Sequence, residues 1–300
     1  MSFPKPTWNQ ASFFRKYRID PKRFSACGVK WEELSAIAKD HCEKQTVLLP
    51  VAHHVSERLR ILPDVHSLRV RIKDPEHLIE KIIREVSERK RPITVENYQD
   101  EITDLIGIRA LHLFKDQWKP IHDFLTKNWN THGRPTAYLR QGDSEKLAEL
   151  LNESGCNVQY HDFGYRSVHY LLKVEAGQHL RIIELQVRTV FEEGWSEIDH
   201  LIRYPNHSKD QRLEEFLVLF NTLAGNADEM GSFIKNLSCS LHHDAVRVKE
   251  TKQQLKDKKK DLQKSEETLK KAVARLNNSQ REKTDLETRI NELTAKRMQK

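Results

Sequence analysis

The hydrophobic positions change period several times along the chain, and each change predicts an element. Over 30–62, apolar residues recur at helical spacing: Leu34, Ile37 and Ala38, then Val47, Leu48, Val51, Val55, Leu59 and Leu62. Pro50 falls inside this run and predicts a kink or a division into two helices. Over 66–73, Leu68, Val70 and Ile72 alternate with Arg69, Arg71 and Lys73, which predicts a strand with one basic face. Asp74 and Pro75 then supply the cap and first position of a helix lined by Leu78, Ile79, Ile82, Ile83 and Val86. Residues 103–114 read as a buried strand. A short helix over 116–130 ends in a turn at 130–135, a brief strand follows at 138–140, and an amphipathic helix over 143–154 is closed by Gly155. Residues 166–175 and 179–188 are two alternating runs joined at Gly177, an antiparallel hairpin. Residues 190–203 are helical, and a long helix begins near Asp210.

This order predicts an α+β body, a mixed sheet of about five strands with packed helices. No internal repeat is present, which excludes a solenoid. The tail has another character. Leu255, Leu262, Leu269, Leu276 and Ile290 share one heptad column, interrupted by Lys283. The companion column reads Lys258, Ser265, Ala272, Ser279, Leu286 and Leu293, so a long charged helix with a weak or late coiled-coil seam is expected. The expected organisation is a helical region over 1–65, a catalytic body over 66–205, further helices over 206–244 and a basic helix over 245–300. The heptad column makes a homo-oligomer the expected state.

Charge sharpens that division. Residues 245–300 hold 17 Lys and Arg against 9 Asp and Glu, a net +8 within a chain of net +7. The body is therefore nearly neutral, and its cations matter as local constellations. With 37% hydrophobic residues among 300, the chain can build a real core, which excludes a fully disordered protein. No apolar run approaches the roughly 18 residues of a membrane span, and the first residues lack the apolar stretch of a secretory signal. The four cysteines form no CxxC pair, which argues against a disulfide framework or structural zinc. A reduced, cytoplasmic protein without membrane attachment is the expectation.

Four segments place polar groups where a core strand would carry none. Arg71 and Lys73 share a strand face, and Lys81 follows on the next helix; together they make a cationic cradle for polyphosphate. Asp104 stands at the start of an apolar strand with Arg109 five residues on. That odd spacing puts them on opposite faces unless a bulge intervenes near Gly107. Glu184, Gln186 and Arg188 share a face of a strand whose other face is Ile183, Leu185 and Val187, and a Glu in such a strand calls for a ligand. After Gly164, the residues Tyr165, Ser167 and His169 share a face suited to stacking a base and binding its phosphates. Carboxylates on separate strands commonly hold Mg²⁺ for phosphoryl transfer, so Asp104 and Glu184 suggest a Mg-nucleotide enzyme.

Taken together, RIKDPEHLIEK, DLIGIRAL, GYRSVHYLL and ELQVRTVFEEGWSEIDH, in this order, resemble the synthetase domain of the RelA/SpoT family, the (p)ppGpp synthetases. The resemblance covers about 66–205. It implies a nucleotidyltransferase-like mixed sheet and a GTP/GDP pyrophosphokinase, which moves a pyrophosphoryl group from ATP to the 3′-hydroxyl of GDP or GTP. It implies that Arg71 and Arg109 sandwich the adenine and that Lys73 and Lys81 meet the ATP phosphates. Asp104 and Glu184 would be the Mg²⁺ carboxylates, with Glu184 where the acceptor hydroxyl is activated. Tyr165 would stack on guanine, with His169 and Gln186 lining the site. Such chemistry is mostly positioning and charge neutralisation, which these residue types can supply.

The chain also departs from the family pattern. His77 stands where a serine is usual, and the run 158–163 has no lysine for the acceptor's 5′-phosphates. That leaves the tRNA 3′ end, used by toxic members, or an adenosine nucleotide as alternative acceptors, and leaves Arg166 or Arg140 to supply the missing charge. The metal-binding hydrolase half of longer members has no counterpart. His53 and His54 have no partners in the preceding helices, and the pairs at 161–162 and 243–244 read as incidental. Trp195 reads as packing between helix and sheet, and His200 as a structural histidine or as one that supports the site from behind the residues lining it. A non-catalytic binding module on a coiled-coil scaffold is the reading of another class. The retained Asp104 and Glu184 argue against it.

Overall fold

The computed structural model describes residues 9–89, 92–177, 179–203 and 210–298. Residues 204–205, at the end of the stretch that carries the resemblance, and the Leu293 side chain lie outside the described set. The chain divides into two compact units, Met1–Phe233 and Ile234–Lys300.

In the first unit, three helices come first: α1 (Gln10–Tyr17), α2 (Pro21–Ala26) and α3 (Trp31–Arg60). Strand β1 (Ser67–Ile72), helix α4 (Pro75–Arg89), the single turn α5 (Tyr98–Glu101) and strand β2 (Ile106–His112) follow. Then come α6 (Trp118–Asn128), β3 (Thr136–Arg140), α7 (Glu145–Glu153), β4 (Asn157–His161), β5 (Ser167–Ala176), β6 (His179–Thr189), α8 (Val190–Arg203) and α9 (Gln211–Met298).

The helical run around Pro50 is one helix, α3, with the proline inside it. Its two halves bury apolar faces in different places. Leu34, Ile37 and Ala38 join α1, α2 and α4 in one core cluster, while Leu48, Ala52, Val55 and Leu59 join the sheet in another. Anchorage on both sides of Pro50 holds the helix through the hydrogen bond the proline cannot make.

The six strands form one mixed sheet in the order β1-β2-β6-β5-β3-β4. The strand missed by periodicity is β4. It lies at the edge, parallel to β3, and is mostly exposed, so only Val158 reports a buried face. The hairpin β5–β6 is antiparallel as its alternation predicts, and β6 runs parallel to β2. Parity then separates two faces. Val70, Ile106, Ile108, Ala110, Ile183, Leu185, Val187, Val168, Tyr170 and Leu172 pack with α3 and α6 into the main core. The opposite face carries Arg69 opposite Arg109, Arg109 beside Gln186, and Gln186 opposite His169, one polar row across four strands.

The second unit is the remainder of α9, and from residue 236 onward every described side chain on it is exposed. Among the described residues, no helix is long and apolar enough to cross a membrane.

Candidate active site

Strand β2 begins at Ile106, so Asp104 lies in the turn before it and strand parity does not govern its direction. The Lys73 backbone N–H donates to the Leu105 carbonyl at 2.9 Å, which brings the end of β1 beside this turn. Lys73 Nζ then donates to Asp104 Oδ2 at 2.8 Å, and Lys81 Nζ, from α4, lies 2.9 Å from Oδ1. Three elements thus converge on one largely enclosed carboxylate, whose side chain is 12% exposed. Burial alone would raise the Asp104 pKa; the two ammonium groups outweigh it and hold the carboxyl below its ordinary value. Burial lowers the Lys73 pKa against the pull of Asp104. Oδ1 is buried and, although it faces Lys81, makes no well-angled hydrogen bond.

Next in the sheet, Arg71 pairs with Gly107, and Gly107 with Glu184. The Arg71 side chain lies across Gly107: a Cβ there would stand 2.9 Å from Arg71 Nε. Glycine at this position lets the guanidinium reach towards Glu184. Burial pushes the Glu184 carboxyl up, but the His169 imidazole beside it, Nδ1 to Oε1 3.4 Å, together with Arg71, leaves it below the ordinary value. Gln186 donates to Glu184 Oε2 at 3.2 Å. Tyr165 Oη and His169 Nε2 share a hydrogen bond of 2.9 Å, and Arg188 Nη1 donates to Tyr165 Oη at 3.2 Å. One imidazole tautomer satisfies all of this: Nδ1–H towards Glu184, Nε2 accepting from the phenol.

The sequence reading passed over what holds the arginines. Arg109 Nη1 donates to Glu193 at 2.8 Å and also to Glu197, both on α8. Glu193 also meets Arg188 Nη2 at 2.5 Å, and Glu197 meets Arg69 at 2.8 Å. Glu193 and Glu197 are four residues apart, hence on one helix face. That spacing was a visible signal, as was Arg188 in step with Glu184 and Gln186.

All nine expected site residues therefore lie on or beside the polar face. Arg71, Lys73, Lys81, Asp104 and Glu184 gather at one end. Arg109, Gln186, His169 and Tyr165 continue across the sheet, and Tyr138 packs edge-on to His169 at 5.0 Å between ring centroids. Beyond Tyr165, a cavity of about 340 Å³ is lined by His161, Trp195, Ser196, Asp199, His200 and Arg203. Trp195 is buried, but its Nε1 donates to the Leu217 carbonyl, so it packs α8 against α9. Arg166 does not face this site. It is buried in a two-pronged pair with Asp143, at 2.8 and 2.5 Å, and its charge is spent there. Arg140 Nη1 reaches Asn221 Oδ1 at 3.5 Å.

Residues 70–209 match the family described as a region found in RelA / SpoT proteins. The chain carries a RelA/SpoT region. Among solved structures it is similar to the small alarmone synthetase 1 from Bacillus subtilis, at 18% identity over 70% of this chain and 98% of that one, with a TM-score of 0.47. It is also similar to a GTP pyrophosphokinase family protein from Streptococcus pneumoniae, at 18% identity over 78% and 97%, with a TM-score of 0.45. No curated protein matches the chain. The RelA/SpoT region begins inside β1 and includes every residue of the polar row except Arg69.

Two carboxylates are enough for one metal. Among the described residues, no group of three or more His, Cys, Asp or Glu side chains could hold an ion. Mg²⁺ keeps several waters and binds through one or two carboxylates plus substrate phosphates. Asp104, with its buried and poorly bonded Oδ1, and Glu184, close enough to repel it electrostatically, fit that mode.

Proposed function

We propose that this chain transfers a pyrophosphoryl group from ATP to the 3′-hydroxyl of GDP or GTP, making (p)ppGpp and releasing AMP in the cytoplasm. The observation that carries this reading is the Lys73–Asp104–Lys81 triad beside Arg71 and Glu184, inside the RelA/SpoT region. Without substrate, Asp104 pairs with both lysines and offsets one of their two charges, so the triad keeps a net positive charge. With ATP, the lysines turn from that carboxylate to the phosphates. Arg71, flat across Gly107, and Arg109 take the adenine. Carboxylates grip the edge of a guanidinium, so Glu193 and Glu197 can hold Arg109 while its flat faces stack. Tyr165 stacks on the acceptor base, and Gln186 and His169 line its site. Glu184, ionised at neutral pH, receives the proton of the 3′-hydroxyl. Asp104 and Glu184 would hold Mg²⁺, which supplies charge neutralisation on the transferring phosphates when bound.

The test is incubation with γ-³²P-ATP, Mg²⁺ and one acceptor at a time: GDP, GTP, AMP or deacylated tRNA. Label in GDP or GTP with release of AMP is the expected result. Labelled tRNA beside unlabelled GDP and GTP overturns the acceptor, and no label anywhere overturns the activity.

A further inference from the structure

Strand β1 ends at Ile72, the last residue in register with β2, so Lys73 lies beyond the ladder. Its backbone is held at two points instead. The N–H donates to the Leu105 carbonyl, and the Lys73 carbonyl accepts from His41 Nε2 at 2.7 Å. The opening turn of α4 has no donor to offer that carbonyl. Pro75 lacks an N–H, the Glu76 and His77 N–H groups donate to Asp74 Oδ1, and the Leu78 N–H donates to the Asp74 carbonyl.

His41 belongs to α3, which lies outside the RelA/SpoT region. Leu34, Ile37, Ala38 and His41 recur at helical spacing, and all four are fully buried. An apolar residue is the expectation at the last of these positions. A carbonyl oxygen only accepts, so the imidazole proton sits on Nε2 and Nδ1 is left as an acceptor. Nδ1 is buried and makes no hydrogen bond. Burial, with the Lys73 ammonium, lowers the His41 pKa against the carbonyl bond and the carboxylates of Asp40 and Asp74, so the ring is neutral.

An unpaired buried acceptor is a cost that packing does not explain, because a leucine would fill the place without it. What the imidazole adds is an N–H aimed at Lys73. Its own placement is firm. The Tyr98 ring packs edge-on to the imidazole at 6.3 Å between centroids, and Tyr98 Oη donates to Asp40 Oδ2 at 2.7 Å, which fixes this turn of α3.

We propose that His41 is a positioning residue: its Nε2–H holds the Lys73 carbonyl and thereby aims the Lys73 ammonium at the phosphates of ATP. This rests on the reading of Lys73 as a phosphate ligand. It makes the helices before the RelA/SpoT region part of the ATP site.

Steady-state transfer by the full chain, with ATP and GDP varied in turn, tests this on wild type, His41→Leu and His41→Gln. Leucine fills the space without a donor, while glutamine carries an N–H at the reach of imidazole Nε2. In His41→Leu the KM for ATP should rise about 10-fold or more, since a small misplacement of a binding group is costly. The KM for GDP should stay within about twofold of wild type, and His41→Gln should recover most of the loss. Thermal melts and circular dichroism report folding. If His41→Leu does not fold, nitrogen-15 NMR of the wild-type imidazole takes its place: a proton on Nε2 is expected, and a proton on Nδ1 overturns the proposal. A folded His41→Leu with the wild-type KM for ATP, equal rises in both KM values, or no recovery in His41→Gln also overturns it, and each leaves the transfer activity standing. A wild type that transfers nothing overturns that activity, and this proposal with it.

Discussion

The two faces of the six-stranded sheet are made from the same strands, residue by residue in alternation, yet they are held together by different physics. On one face Ile108, Leu185, Tyr170 and Leu172 are fully buried against helices. Their order comes from close packing, which tolerates exchange among shapes of similar volume. On the other face Arg69, Arg109, Arg188, Glu184 and His169 are fixed by paired charges and shared hydrogen bonds. Their positions depend on each partner being present, and removal of one leaves another uncompensated. The packed face supplies stability and the paired face supplies placement, so substitutions on the two should fail in different ways.

The largest effect is expected on the paired face. Glu184→Gln keeps the shape and the bond from Gln186 within reach, so transfer should fall by several powers of ten with little change in melting. Asp104→Asn should lose as much activity and also stability, up to about 3–5 kcal/mol, because Lys73 and Lys81 are left facing each other without their anion. Steady-state transfer together with thermal melts separates the two; an Asp104→Asn protein as stable as wild type would break the triad argument. The packed face should do the reverse. Ile108→Ala should cost about 2–5 kcal/mol of stability while transfer per folded molecule stays near wild type. An activity loss without a stability loss at Ile108 would erase the distinction between the faces.

Tyr165 belongs to both kinds of order, through its ring and through its hydroxyl. Tyr165→Ala should weaken acceptor binding by about 1–3 kcal/mol, the range for stacking on a base. Tyr165→Phe should lose less, since only the link from His169 to Arg188 goes. Equal KM changes for the acceptor in both variants would assign the role to the hydroxyl.

The smallest effect concerns a pair away from the row. Glu192 and Asp228 both lie by Thr189, and burial pushes both carboxyls up, helped by the charge of Asp228 on Glu192 and of Glu229 on Asp228. Acids with raised folded pKa values bind more protons folded than unfolded. Their stabilising contribution is therefore whole below the ordinary carboxylate range and declines as pH rises through the folded values. Asp228→Asn should flatten this slope between about pH 4 and 7, the interval from unperturbed carboxylates upward, and raise melting at neutral pH. Melts across that interval check it; an unchanged slope would show that the pair is already compensated.

The sheet was legible to the extent that alternation is visible. HSLRVRIK declares both a strand and its basic face, because burial on one side imposes period two. The hairpin at Gly177 and the helix after Asp74-Pro75 declare themselves through turn and capping chemistry. β4 stayed hidden because a short edge strand buries too little to impose a pattern. Lys73, Asp104 and Lys81 could be named as candidates, but nothing local says that two lysines share one carboxylate. That depends on where the β1 end, the pre-β2 turn and α4 meet.

By itself, the sequence determined the periods: helix, strand, the polar and apolar faces, and the heptad columns of the tail. These are local consequences of which side chains must leave water. The tertiary structure alone decided the parallel pairing of β2 with β6, the arginine clamp of Glu193 and Glu197, and the docking of Leu217 and Asp228 that leaves Phe216 and Met230 outside. Those are decisions between residues far apart in the chain. Their energies come from desolvated charge and shape complementarity, and neither exists until the elements are packed.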